Sequence, residues 1–258
     1  MTPDDFVVSQ SGVLVWKSPH LHPLLRGGNT DHPDLVRKAR EVFAKGSVRG
    51  LPRICSENSE DACTWFYFSP LMGEPVRKVR VLARLFREAF PNQVGAEVFQ
   101  ALPLAELHFW QGRKTPSFSL DPPPSRTVPE GATEVDLIVT VGKEAVLFIE
   151  AKYMSGASVS TKHDKNRDQV IRNLDVGSWF ATGRFKRFYL LLLQYGDHPT
   201  NSEEIVSRYK LNPRIIRERL PYRRDLADGD INRLSKSVGF VRWPNPLSWG
   251  RVLLSDSN

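Results

Sequence analysis

Between residues 133 and 195 the spacing of apolar side chains changes period twice, and the changes outline a fold. EVDLIVTV and EAVLFIEAKY, within 134–153, are short and almost continuously apolar, and they are joined around Gly142-Lys143. That pattern predicts two strands linked by a tight hairpin turn. AELHFWQGRK (105–114) alternates as a strand before them, and RFYLLLLQY (187–195), apolar on both faces, reads as a central strand after them. A helix is predicted over 165–182, ending at Gly183, with Asp164 as its N-cap. Another is predicted over 75–90, where Val76, Val79, Leu82, Phe86 and Ala89 recur at helical spacing. Ser59, followed by Glu60 and Asp61, opens a helix within 56–72. The remaining predicted elements are a strand at 12–16, a helix over 33–44 capped by Asp31, one or two charged helices after 195, and a strand at 238–243.

From about residue 59 to 195 the order is helices, three strands, a helix and a strand. It predicts an α/β protein with an antiparallel three-strand meander and a fourth strand reached by a helical crossover. An N-terminal extension (1–55) and a C-terminal helical and strand extension (197–258) are expected to pack on the core (56–196) as one compact unit. The linker TPSFSLDPPPSRTVPEG (115–131) reads as a proline-rich loop.

Composition narrows the function classes. At 258 residues, 40% apolar and 25% charged, the chain can bury a sizeable core. No apolar run approaches a membrane span, and the acidic start MTPDDFVVSQ is unlike a signal peptide, so a cytoplasmic protein is expected. Cys55 and Cys63 fit no zinc pattern, and His20 and His22 have no matching ligands, so free thiols and no zinc are expected. There is no P-loop. The net charge of +7 favours a polyanionic partner.

The chemistry lies in the two joined strands. Charged residues seldom sit in such strands unless paired or bound to a metal, yet Glu134 and Asp136 stand in one and Glu150 and Lys152 in the other. Residues two apart share a strand face, so Glu150 and Lys152 point the same way, as do Glu134 and Asp136. The hairpin makes the two strands neighbours without fixing their register, and Asp136 and Glu150 could then come within a few ångströms of each other. Two carboxylates that close are unfavourable unless a cation neutralises them, and hard oxygen ligands suit Mg²⁺, with Mn²⁺ as a substitute. Glu134 is expected to be solvated or to support the ligands from outside, and His163 to be solvated.

The string of Asp136, thirteen intervening residues and Glu150-Ala151-Lys152 resembles the PD-(D/E)xK nuclease superfamily, with Val135 where the family name has proline. The resemblance covers the middle of the chain and implies a restriction-endonuclease-like αβββαβ core with a mixed central sheet. It implies that Asp136, Glu150 and the Ala151 carbonyl hold the metal while Lys152 acts on the attacking water. A glutamine from the following helix, Gln169, and an acid from the first core helix complete such sites. Glu60 is the favoured acid, with Asp61, Glu88 and Glu97 as alternatives. A divalent-metal-dependent phosphodiesterase acting on DNA, with RNA as an alternative, is therefore expected, in a restriction or defence setting. Arg167, Arg172, Arg184 and Lys186 become candidate phosphate contacts, and a duplex-cutting enzyme would favour a homodimer. A nucleic-acid-binding scaffold without turnover, or a hydrolase of small phosphoesters, are the competing readings.

Overall fold

The structure, a computed structural model, describes residues 5–8, 13–26, 30–39, 51, 53–56, 59–114, 116, 132–160 and 167–244. Two short strands, β1 (Phe6–Val8) and β2 (Leu14–Trp16), pair antiparallel, and α1 (Pro33–Ala39) follows. Helices α2 (Glu60–Phe68), α3 (Pro75–Ala89) and α4 (Ala96–Ala101) precede the main sheet. That sheet has five strands in chain order, β3 (Ala105–Arg113), β4 (Thr133–Val141), β5 (Ala145–Tyr153), β6 (Arg187–Tyr195) and β7 (Val238–Trp243). The first three form an antiparallel meander. Helix α5 (Gln169–Ala181) then carries the chain across to β6, which runs parallel to β5. Helices α6 (Ser202–Leu211), α7 (Pro213–Arg219) and α8 (Asp228–Lys236) precede β7, which lies parallel to β6.

The fold is thus mixed α/β, and the alternation along β5 shows why it has three layers. Ala145, Leu147 and Ile149 join a core with Trp65, Phe68, Leu82 and Phe86 of α2 and α3. Val146 and Phe148 join a second core with Val170, Ile171 and Leu174 of α5 and Ile205, Ile216 and Ile231 of the later helices. Every residue of β5 is buried, as a central strand covered on both faces requires. At Gly177 helix and sheet come so close that a Cβ would lie 2.1 Å from the Phe188 ring. The β4–β5 turn spans residues 142–144 and places Gly142 at φ +51°, which glycine adopts freely. Trp16, Leu24 and Leu35 of the N-terminal segment share the first core.

Two buried ionic clusters fasten α5 to the C-terminal helices. The Asp175 carboxylate accepts from Arg167 and Arg223, each at 2.8 Å, and all three side chains are essentially inaccessible. Asp168 accepts from the Arg208 guanidinium at 3.1 Å, Arg219 at 2.6 Å and the Tyr209 hydroxyl at 2.8 Å. Its other oxygen receives the Ile171 N–H, so Asp168 is the N-cap of α5. The helix starts later than the sequence suggested, and Asp164 lies outside the described residues. At α1 the Asp34 N–H donates to the His32 ring at 3.2 Å. The helix is described to Ala39, and 40–44 lie outside the described residues, as does nearly all of the proline-rich loop. Neither β1 nor α4 was anticipated, because each is too short to show a period.

Cys55 and Cys63 are buried free thiols, and burial pushes the Cys55 thiol up to about 12, disfavouring its thiolate. Among the described residues no helix is long and apolar enough to cross a membrane.

Replacing Asp175 with alanine would remove the buried carboxylate that two guanidiniums share, leaving Arg223 on Asp225 and Arg167 on the Tyr222 hydroxyl. Urea denaturation of Asp175→Ala is expected to show a loss of about 3–5 kcal/mol. A loss below about 1 kcal/mol would mean that these pairs do not hold α5 in place.

Candidate active site

The site forms where two neighbouring strands part. The β4–β5 ladder stops at Leu137–Ile149, while β5 continues beside β6 through Tyr153–Tyr195. Beyond that point a side chain replaces the lost strand partner, as Asp136 Oδ2 accepts the Ala151 N–H at 2.8 Å. Opposite Asp136 on β3 the backbone is distorted, with Trp110 at φ +50°. A bulky residue there costs about 1–3 kcal/mol. The distortion lets the consecutive Phe109 and Trp110 both enter the first core, where Trp110 stacks on Trp65 with centroids 5.6 Å apart. Arg37 holds the kink by donating to the Phe109 and Trp110 carbonyls at 3.3 and 3.0 Å.

Glu150 and Lys152, on the same strand face, are buried and bonded to each other at 3.1 Å. Gln169, on the first turn of α5, donates its amide to Glu150 Oε1, and Asn173, one turn on, donates to Oε2 at 3.1 Å. The Lys152 ammonium also donates to the Ala151 carbonyl at 2.9 Å and to Glu60 Oε2 at 3.4 Å. Glu60 reaches β5 from the first turn of α2, whose start is fixed by Ser59 capping the Ala62 N–H. Its other oxygen accepts the Tyr153 N–H at 3.1 Å and the Ser155 hydroxyl. Three elements therefore converge on the end of β5.

The structure thus brings together Asp136, Glu150, Ala151, Lys152, Gln169 and Glu60. Of the alternative acids, Asp61 lies nearby and shares Lys38 with Glu134. Glu88 and Glu97 lie elsewhere, paired with Arg84 at 2.7 Å and Arg187 at 3.3 Å. Arg167 must be reassigned, because buried against Asp175 it is closed to a phosphate. Arg172 is half-buried and donates to Thr133 at 2.8 Å. Arg184 is exposed beyond α5, and exposed Lys186 pairs with Glu144 at 2.8 Å. His163 lies outside the described residues. Sequence reasoning missed Asn173, although its position four residues after Gln169 puts it on the same helix face.

The electrostatics are those of crowded carboxylates around one cation. Burial holds the Asp136 carboxyl well above its usual range, with the Glu150 and Asp61 charges adding to this and Lys152 and the Ala151 N–H opposing it. Burial alone would depress Lys152, but Glu150, Glu60 and Asp136 outweigh it and raise its pKa above the ordinary lysine value.

This donor set fits Mg²⁺. Lys152 already places a positive charge among the Glu150 carboxylate, the Ala151 carbonyl and Glu60. The Asp136 carboxylate, held against its own ionisation, lies beside the same carbonyl's residue. Among the described residues no three His, Cys, Asp or Glu side chains form a ready cage, so Mg²⁺ here would keep several waters, as it ordinarily does. No family model, curated protein or solved structure matches the chain.

The raised pKa of the Asp136 carboxyl makes the metal-free protein sensitive to pH in a defined direction. The stability associated with protonated Asp136 is present below its unfolded pKa and is lost as pH rises through its higher folded value. In EDTA, Asp136→Asn should therefore melt above the wild type near neutral pH, and the gap should close on acidification. An equal or lower melting temperature for the variant at neutral pH would contradict this.

Proposed function

We propose that the protein is a divalent-metal-dependent nuclease that hydrolyses phosphodiester bonds in DNA. The observation that carries this reading is the meeting of Asp136, Glu150 and Lys152 at the parted ends of β4 and β5. Gln169 from α5 and Glu60 from α2 close around them, as the resemblance to PD-(D/E)xK enzymes implies. The order of α2–α4, the β3–β5 meander, α5 and β6 supports a restriction-endonuclease-like core.

When bound by Asp136, Glu150 and the Ala151 carbonyl, Mg²⁺ would supply Lewis-acid activation of water and compensate the charge that builds on the phosphate. The chain's own groups do the rest. Lys152 directs an ammonium at the same place and stabilises the phosphoryl oxygens as they gain charge. Gln169 and Asn173 hold both oxygens of Glu150, so that its orientation does not depend on solvent. Glu60 ties Lys152 and the Tyr153 backbone to α2, which fixes the end of β5.

With supercoiled plasmid, linear duplex and single-stranded DNA, cleavage is expected in Mg²⁺ or Mn²⁺ and not in EDTA. Asp136→Asn, Glu150→Gln and Lys152→Ala should each reduce it at least about 100-fold. Gln169→Ala, which leaves Asn173 on Glu150, should reduce it by about tenfold. Cleavage that survives in Lys152→Ala would sink the assignment.

A second reading, a nucleic-acid-binding scaffold without turnover, draws support from Lys152, which already compensates Glu150 without a metal. Calorimetric titration with Mn²⁺ separates the two. Binding that disappears in Asp136→Asn belongs to the enzyme, and absence of binding in the wild type belongs to the scaffold.

A further inference from the structure

Beside the end of β3 and the C-terminal turn of α5 lies a cleft of about 610 Å³ lined by Arg113, Lys114, Trp179, Phe180, Thr182 and Arg184. Among the described residues its lining holds three cations and no carboxylate. The Arg113 and Arg184 guanidiniums both pack on the Phe180 ring, 4.7 and 4.9 Å from its centroid. Arg113 Nε is buried and unpartnered. Among the described residues no acid pairs with Arg113, Lys114 or Arg184, whereas many of the chain's other arginines, such as Arg84, Arg187 and Arg223, do pair with one. Burial, and then the Arg184 charge, pull Arg113 below the usual arginine value. Like charges held together, with no acid among the described residues to neutralise them, favour the binding of an anion.

The aromatic part of the cleft narrows the anion. Trp179 keeps 38% of its surface exposed although Arg223 lies over its ring at 5.5 Å. An exposed, braced indole beside guanidiniums offers stacking to a planar group and charge to a phosphate, the combination used to hold single-stranded nucleic acid. In a duplex the base faces are already stacked on each other.

The position also suits the proposed reaction. Arg113 pairs with Thr133, three residues before Asp136 on the adjacent strand, a separation of roughly 10 Å along β4. Phe180 lies eleven residues after Gln169 on α5, roughly 16 Å along the helix. A strand lying over α5 could touch the carboxylates and the cleft at once.

We propose that this cleft is the anchoring site for an unpaired stretch of the DNA substrate, with Arg113 and Arg184 taking a phosphate and Trp179 stacking on a base. The proposal rests on the nuclease reading for its substrate, but its test does not depend on turnover. Fluorescence anisotropy in EDTA would follow a labelled oligodeoxythymidylate of about 15 nucleotides, with a duplex of equal length in parallel. Arg113→Ala/Arg184→Ala should weaken single-strand binding at least about tenfold and reduce the salt slope by about 0.7, as expected for one lost phosphate contact. Trp179→Ala should weaken single-strand binding by about tenfold and leave duplex binding nearly unchanged. Arg80→Ala, an exposed change on α3, is the control for charge alone. If the double variant does not fold by circular dichroism, Arg184→Glu at an exposed position replaces it, with the same expected loss.

The cleft assignment is overturned if the wild type does not bind the oligonucleotide, or if the arginine variants bind like Arg80→Ala. It is also overturned if Trp179→Ala weakens duplex and single strand equally. If the binding pattern holds while no metal supports cleavage, the nuclease reading fails and the cleft stands.

Discussion

A buried ammonium makes the centre of this molecule possible. Lys152 and Glu150 sit in a strand whose other residues are apolar except at its end, and neither could be buried there alone. Together, and with the amides of Gln169 and Asn173 on Glu150, they satisfy most of the hydrogen-bonding capacity that burial exposes. The same ammonium reaches Glu60, so the charge balance that permits the pair also fastens α2 to the sheet. The two helical layers thus meet the end of β5 through one cation. The Asp136 carboxylate has a further duty: with the strands parted, it occupies the place that a backbone carbonyl would have had.

The parted strands lie beside a strained stretch of backbone. Trp110, opposite Asp136, is held at positive φ by large rings packed around it and by Arg37 on its carbonyl. Backbone strain of this kind persists only where the surroundings over-determine it. Here it lies next to the one place where β4 must leave β5 and present a carboxylate instead of a ladder.

Much of the architecture was legible because it is local. The hairpin at Gly142, the spacing of Asp136 from Glu150-Ala151-Lys152, and the Ser59 cap with Glu60 behind it are all written in short stretches of chain. Two-residue periodicity placed Glu150 and Lys152 on one face, and their 3.1 Å contact follows from it. What could not be read depends on partners far along the chain. Nothing in KNRDQ says that Arg167 faces Asp175 and Tyr222 instead of solvent, because that burial is supplied by a segment some fifty residues later. For the same reason Asp168, not Asp164, starts α5: its far oxygen is held by Arg219 and Tyr209. Asn173 was overlooked for a different reason, since an amide inside an apolar helix face looks like a packing exception until its partner is known.

The clusters at Asp168 and Asp175 also impose an order of events. As the chain is made from its N-terminus, the strands bearing Asp136, Glu150 and Lys152 emerge well before Arg208, Arg219 and Arg223. Until those arginines arrive, Asp168 at the start of α5 lacks both of its arginine partners and Asp175 has Arg167 but not Arg223, so the helix is not yet fastened to the C-terminal segment. Gln169 and Asn173 are fixed on Glu150 only when it is. The constellation is therefore completed late in synthesis, by residues that never touch it.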